Sequence, residues 1–198
     1  MDFIYEEEGF LPSEICKKMI EKFEDDDNKF VGMTKEGTNL NNKKTTDLII
    51  NSLKAWHVES DYLTSKSTEM LSKYRTYLSG SEFNQDSKRI QELFSRTYFS
   101  SFLINKYTTG GFYRWHYDAT PINSRILTVV VYLNDIESGI GGTTDFKNGR
   151  RIQPKTGKLL VFPSSWTHLY RDKKLENGSK YVLTWFVYGD ANKCKAGD

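Results

Sequence analysis

Two cysteines, four prolines and three histidines are all that 198 residues hold of these types, and each scarcity narrows the reading. Cys16 and Cys194 lie near opposite ends, one inside a predicted helix and one in a polar tail. That placement argues against a disulfide framework and suits a reducing compartment. No stretch stays apolar over the roughly 20 residues a membrane span requires. The opening Met1-Asp2-Phe3-Ile4-Tyr5-Glu6-Glu7-Glu8 lacks the basic start and apolar run of a secretory signal. A cytoplasmic protein with no membrane partner is expected. Neither sign of charge is in excess, with 28 Lys and Arg against 26 Asp and Glu. So even a balance points to no evident nucleic-acid surface.

Aromatic residues, by contrast, make up 14% of the chain. The length suits one domain over residues 1–198, with helical support over about 10–98 and a β core over about 99–190. Leu11-Pro12-Ser13-Glu14 opens a helix that Ser13 is placed to cap, with Ile15, Met19, Ile20 and Phe23 as its apolar stripe. Glu24-Asp25-Asp26-Asp27-Asn28 reads as its solvated end. Residues 37–47 are polar and suggest a mobile loop. From Leu48 to Tyr98 the pattern is mostly helical, carried by Met70, Leu71, Tyr74, Leu78, Ile90, Leu93 and Phe94.

Beyond Phe102 the texture changes to short strands divided by Gly, Pro and Asn. The candidates are Phe102–Tyr107, Tyr113–Asp118, Ile126–Leu133, Gly142–Phe146, Gly149–Gln153, Lys158–Phe162 and Lys180–Tyr188. Strands punctuated in this way suggest a mainly β protein with flanking helices (α+β), built as a jelly roll, a double-stranded β-helix of cupin-like form with N-terminal supporting helices.

Two of the three histidines take part in a pattern with chemical meaning. In a strand, side chains two apart project to the same face, so His116 and Asp118 in Trp115-His116-Tyr117-Asp118 form a preset pair. His168 follows 50 residues after Asp118, just beyond the strand-like Val161-Phe162-Pro163. Two imidazoles and a carboxylate on one face of an octahedral metal leave positions open, as suits Fe(II) chemistry with oxygen and a chelating cosubstrate. A lone His-x-Asp also arises by chance. His57, in a helical context, reads as structural or surface.

A cosubstrate acid needs a cation nearby. Period-two alternation puts Lys180, Val182, Thr184 and Phe186 on one face of the last strand. If that face points inward, a buried ammonium awaits an anion that offsets its desolvation. Otherwise Lys180 simply starts an exposed strand beside Gly178-Ser179.

The blocks Asn105-Lys106-Tyr107-Thr108-Thr109-Gly110-Gly111-Phe112-Tyr113-Arg114-Trp115-His116-Tyr117-Asp118, Arg125-Ile126-Leu127-Thr128, Tyr132-Leu133-Asn134, Gly141-Gly142-Thr143-Thr144-Asp145-Phe146 and Gln153-Pro154-Lys155-Thr156-Gly157, with the segment from His168 to Lys180, occur in order. Together they resemble the prolyl 4-hydroxylase-type branch of the Fe(II)- and 2-oxoglutarate-dependent dioxygenases. The resemblance implies His116, Asp118 and His168 as catalytic iron ligands. It also implies Lys180 as the partner of the distal carboxylate of 2-oxoglutarate, with Tyr107, Tyr132 and Thr184 lining that pocket. Arg125 is implied to face substrate. The spacing from His168 to Lys180 is longer than the usual family pattern, which leaves Arg171 or a nearby lysine as competitors for the anchoring role.

The implied cofactors are Fe(II), 2-oxoglutarate as cosubstrate and O2, with ascorbate as an optional reductant. The implied reaction is hydroxylation of a substrate C–H, with 2-oxoglutarate converted to succinate and CO2. A peptide or protein substrate, peptidyl proline first, is favoured over a small molecule. Two other classes stay open: a non-catalytic jelly-roll module that retains a metal, and a zinc hydrolase on a cupin-like barrel. Trp115, Tyr117 and Trp166 are aromatic candidates for substrate contact, and Gly139-Ile140-Gly141-Gly142 is a candidate cover.

Overall fold

The computed structural model describes residues 2–34, 36–80, 88, 92–119 and 124–189. Among these, thirteen strands and two α-helices have stated bounds, and Glu92 and Leu93 are helical as well. In chain order they are β1 (Tyr5–Glu7), α1 (Ser13–Asp25), β2 (Phe30–Val31), β3 (Lys43–Lys44), β4 (Thr46–Ile49), α2 (His57–Ser79), β5 (Thr97–Phe99), β6 (Leu103–Thr108), β7 (Phe112–His116), β8 (Arg125–Tyr132), β9 (Thr144–Phe146), β10 (Arg151–Ile152), β11 (Leu159–Pro163), β12 (Tyr170–Asp172) and β13 (Ser179–Gly189). They form two antiparallel sheets. The larger runs β1-β11-β8-β13-β6-β4-β2, with β5 added beside β13, and the smaller runs β10-β9-β12-β7-β3.

Alternation explains why the larger sheet is buried on both faces. In β8, Leu127, Val129 and Val131 turn to one side while Val130 and Tyr132 turn to the other. β11 repeats this with Leu159 and Val161 against Leu160 and Phe162, and β13 with Leu183, Trp185 and Val187 against Val182. The first set packs with Cys16, Met19 and Phe23 of α1 and Leu63, Met70, Tyr74 and Leu78 of α2. The second set faces the smaller sheet and joins Tyr107, Phe146, Ile152 and Tyr170. The helices thus buttress one face of the sheet, and the other face encloses the interior that holds the site. No described helix is long and apolar enough to cross a membrane.

All seven strands anticipated beyond Phe102 are present, with shifted ends. The segment before them is mostly helical, as expected, through α2, but departs at its ends. Leu48 and Ile49 belong to β4, not to a helix, and Thr97–Phe99 forms β5. Lys43–Lys44 is a strand within the stretch expected to be a mobile loop, and Lys43 and Asp47 are buried as an ion pair of 2.6 Å. Residues 38–41 are exposed, but the charges of Lys43 and Asp47 are paired inside the protein. Ser13 makes no capping bond; it begins α1, and the Pro12 carbonyl instead accepts from the amides of Ile15 and Cys16. The acidic end of α1 is engaged as well: Glu24 accepts from the Tyr181 hydroxyl at 2.6 Å and Asp26 from the Trp56 indole at 2.8 Å. His57 is exposed at the start of α2. Cys194 and Ile90 lie outside the described residues.

Candidate active site

A cavity of about 980 Å³ opens between the two sheets, and His116, Asp118, Arg125, Tyr107, Thr184, Tyr170 and Asp172 are in its wall. His116 ends β7, and Asp118 follows as the chain turns, its amide donating to the Ser164 carbonyl at 3.1 Å. The His116 Nδ1 lies 2.7 Å from the Arg114 carbonyl. A carbonyl can only accept, so Nδ1 carries a proton, and in the neutral ring Nε2 presents its lone pair. Nε2 is buried without a hydrogen-bond partner and stands 3.7 Å from Asp118 Oδ1. The other carboxylate oxygen, Oδ2, accepts from Thr128 at 2.6 Å and from Tyr170 at 2.9 Å. Such outer contacts fix a ligand's orientation and leave its free oxygen aimed at the neighbouring imidazole. An orphaned buried imidazole nitrogen beside a braced carboxylate fits a metal ion.

His168 is not part of this pair. It ends the 3₁₀ turn Trp166–His168, where its Nε2 donates to the Asp2 carbonyl at 2.8 Å and its Nδ1 lies 2.8 Å from the Thr167 hydroxyl. Both ring nitrogens are engaged outside the cavity. The reason is register: β12 starts at Tyr170, and Tyr170, not His168, stands opposite His116 in the ladder. His168 itself lies two residues before that pairing, ahead of the strand. Among the described residues no three His, Cys, Asp or Glu side chains gather at one point. Burial, then the Asp118 carboxylate, holds the Tyr170 phenol far above the ordinary tyrosine range.

Lys180 is fully buried, as the inward-facing alternative anticipated, and lies opposite Tyr107 in the β6–β13 ladder. Its ammonium is already paired, however. Nζ is 2.6 Å from Asp172 Oδ1 and 2.9 Å from the Gly142 carbonyl. The Tyr107 hydroxyl donates to Asp172 Oδ2 at 2.8 Å, and Tyr132 donates to Thr144, which in turn donates to Asp172 at 3.1 Å. Burial pushes the Asp172 carboxyl up, but Lys180 and the Tyr107 hydroxyl outweigh it and hold it below the usual aspartate range. As built, this floor does not fit the distal carboxylate of 2-oxoglutarate, because an internal carboxylate holds the anchor.

The remaining expected residues are accounted for. Thr184 bonds Asn105 at 3.2 Å on the cavity wall. Arg125 reaches the Tyr188 hydroxyl at 2.9 Å and the Asp118 carbonyl at 3.3 Å, with its guanidinium 3.9 Å over Phe186. Arg171, the competing anchor, is bound instead to Asp145 at 2.9 Å. Trp115 and Tyr117 line the cavity, whereas Trp166 is exposed away from it. In Gly139-Ile140-Gly141-Gly142, Gly141 lies close to Lys174 and Leu175, Gly142 lies close to Leu175, and the Gly142 carbonyl accepts from Lys180.

Thr128, Tyr170 and Asp172 were not singled out from the sequence. Thr128 was findable, since it shares the β8 face with Tyr132.

Residues 102–188 match the sequence model of the 2OG-Fe(II) oxygenase superfamily. A Xenopus tropicalis protein, 2-oxoglutarate and iron-dependent oxygenase domain-containing protein 3, is 30% identical over 94 residues. That alignment covers 44% of this chain and 30% of the relative, so the chain spans less than a third of that protein. Among solved structures, a Trichoplax adhaerens prolyl hydroxylase, in complex with a peptide of the hypoxia inducible factor oxygen degradation domain, superposes with a TM-score of 0.79 at 17% identity. It covers 100% of this chain and 89% of its own. The viral collagen prolyl hydroxylase of Paramecium bursaria Chlorella virus-1, in complex with 2-oxoglutarate, superposes with a TM-score of 0.65 at 20% identity, covering 94% and 96%. These likenesses show the mainly β, helix-flanked jelly-roll fold.

Proposed function

Because residues 102–188 match the 2OG-Fe(II) oxygenase superfamily, we propose that the chain is a member of it and a hydroxylase acting on a C–H bond of a peptidyl substrate, with proline as the first side chain to test. The observation that carries the reading is the His116 Nε2, buried and unpartnered beside Asp118 at the wall of a large cavity. Peptide substrates are favoured because both prolyl hydroxylases described above have this fold, one of them with a peptide bound. Iron bound at this pair would supply the redox chemistry through which O2 and a 2-oxo acid are consumed in hydroxylation.

The chain's own contribution is placement. The Arg114 carbonyl sets the tautomer of His116, while Thr128 and Tyr170 turn Asp118 toward it. Arg125, stacked on Phe186 and bound to the Asp118 backbone, stiffens the cavity mouth and offers a cation to a substrate carbonyl. The rings of Tyr113 and Tyr170 lie 3.5 and 4.2 Å from that of His116 and exclude water from its face.

The test is to supply Fe(II), 2-oxoglutarate, ascorbate and proline-containing peptides, and to follow succinate together with the mass gain of one oxygen. Loss of both signals in His116→Ala is expected. A second reading, a non-catalytic binding module, is favoured by the Lys180–Asp172 pair and by the placement of His168 outside the cavity. Peptide and metal binding with no oxygen added to the peptide, whether 2-oxoglutarate or pyruvate is supplied, would select it.

A further inference from the structure

Lys180 and Asp172 stand at different depths. Asp172 is in the wall of the cavity, whereas Lys180, fully buried, is not. The Asp172 side chain, bound to Lys180, therefore lies between that ammonium and the cavity. Both of its oxygens are engaged: Oδ1 takes the Lys180 ammonium at 2.6 Å and the Thr144 hydroxyl at 3.1 Å, and Oδ2 takes the Tyr107 hydroxyl at 2.8 Å. An ammonium, a phenol and a hydroxyl converging on one carboxylate form a complete anion seat. Here a residue of the chain itself fills that seat.

We infer that Asp172 is a built-in occupant of the distal-carboxylate seat, so that a dicarboxylic 2-oxo acid must displace it to reach Lys180. This rests on the oxygenase reading and deepens it by specifying which acid the site accepts. The native floor carries no net charge and presents a carboxylate to anything entering. A dicarboxylate such as 2-oxoglutarate meets like charge there and finds its hydrogen-bond donors engaged. A 2-oxo acid without a distal carboxylate avoids that conflict. The fold has kept the cation, the phenol and the hydroxyl of an anion site while making the site selective against an outside dianion.

The experiment is calorimetric titration of 2-oxoglutarate and of pyruvate into Mn(II)-loaded protein, with Mn(II) occupancy read separately by electron paramagnetic resonance. Pyruvate shares the 2-oxo acid head and lacks the distal carboxylate. Native protein is expected to bind 2-oxoglutarate weakly. Asp172→Asn and Asp172→Ala are expected to bind it at least about tenfold more tightly, a difference of about 1.4 kcal/mol, with pyruvate affinity unchanged. The paired replacement Asp172→Leu with Lys180→Met exchanges a buried ion pair for apolar side chains, which such sites tolerate better than a single removal. It is expected to keep the weak native affinity for 2-oxoglutarate.

Native affinity equal to or tighter than that of the single variants, or a drop in the paired variant, would overturn the inference and leave the oxygenase reading standing. If native protein and every variant bind Mn(II) but none binds 2-oxoglutarate, both fail. Absence of Mn(II) binding would also remove both.

Discussion

Tyr170 faces His116 directly across the β7–β12 ladder, and its hydroxyl rests 2.9 Å from Asp118, the carboxylate that His116 also faces. Metal binding should therefore depend on His116 and Asp118 and be indifferent to His168. Mn(II) titration is expected to show at least a hundredfold loss of affinity in His116→Ala and Asp118→Ala, about 2.7 kcal/mol. His168→Ala should stay within about threefold of native, since its nitrogens serve the Asp2 carbonyl and the Thr167 hydroxyl. A large loss in His168→Ala would return that residue to the metal.

Tyr132→Phe removes one hydroxyl from a fully buried chain of donors running through Thr144 to Asp172. Leaving Thr144 without its donor should cost about 1–3 kcal/mol. Chemical denaturation would measure it, and an unchanged midpoint would mean that the chain is not closed as described.

Gly141→Ala should destabilise the protein by more than about 1 kcal/mol, for two reasons. The residue has φ +78°, where a side chain is strained, and an added Cβ would fall on the backbone oxygen of Lys174. The neighbouring Gly142 carbonyl would shift away from Lys180, so solvent exposure of the cavity floor, read by amide hydrogen exchange, should rise with it.

Asp145 supplies the acid dependence. Burial pushes its carboxyl up, but bonds from Thr143, Arg171 and Arg151 outweigh this and hold it below the ordinary aspartate range. A group whose folded value is depressed contributes stability above its unfolded value, about 4, and loses it as pH falls through the folded one. Native protein should thus exceed Asp145→Asn in urea midpoint near neutral pH, with the gap closing below about pH 4. A gap independent of pH would point to shape and not charge.

Trp185→Ala should cost about 3–5 kcal/mol, because the ring is fully buried against Phe102 on the helical side of the large sheet. The cavity lies on the opposite face, so metal affinity of the folded fraction should be unchanged.

The β core was legible because period-two alternation in Ile126–Leu133 and Lys180–Tyr188 is a local signal, and the His116-x-Asp118 pair is local too. Where His168 comes to rest was not legible, because the partner of each position beyond β11 is set by pairing between distant strands, and only with β12 laid beside β7 does Tyr170 come opposite His116. Asp172 was passed over for a related reason: among Arg171, Lys173 and Lys174 it looks like a solvated charge, and only the fold reveals that it turns inward to Lys180. The polar stretch containing Lys43 and Asp47 hid a strand because its buried charges cancel each other, and composition cannot register that.

β13 is the last described strand in sequence, yet it occupies the middle of the large sheet, paired with β6 on one side and β8 on the other. During synthesis the two flanking strands must wait with unpaired edges until residues near 189 emerge. Neither face of the interior can close before then, and the folding nucleus must bridge contacts far apart along the chain, which makes folding slow. A chain cut short before Ser179 would present two open strand edges to its neighbours in the cell, a template for aggregation.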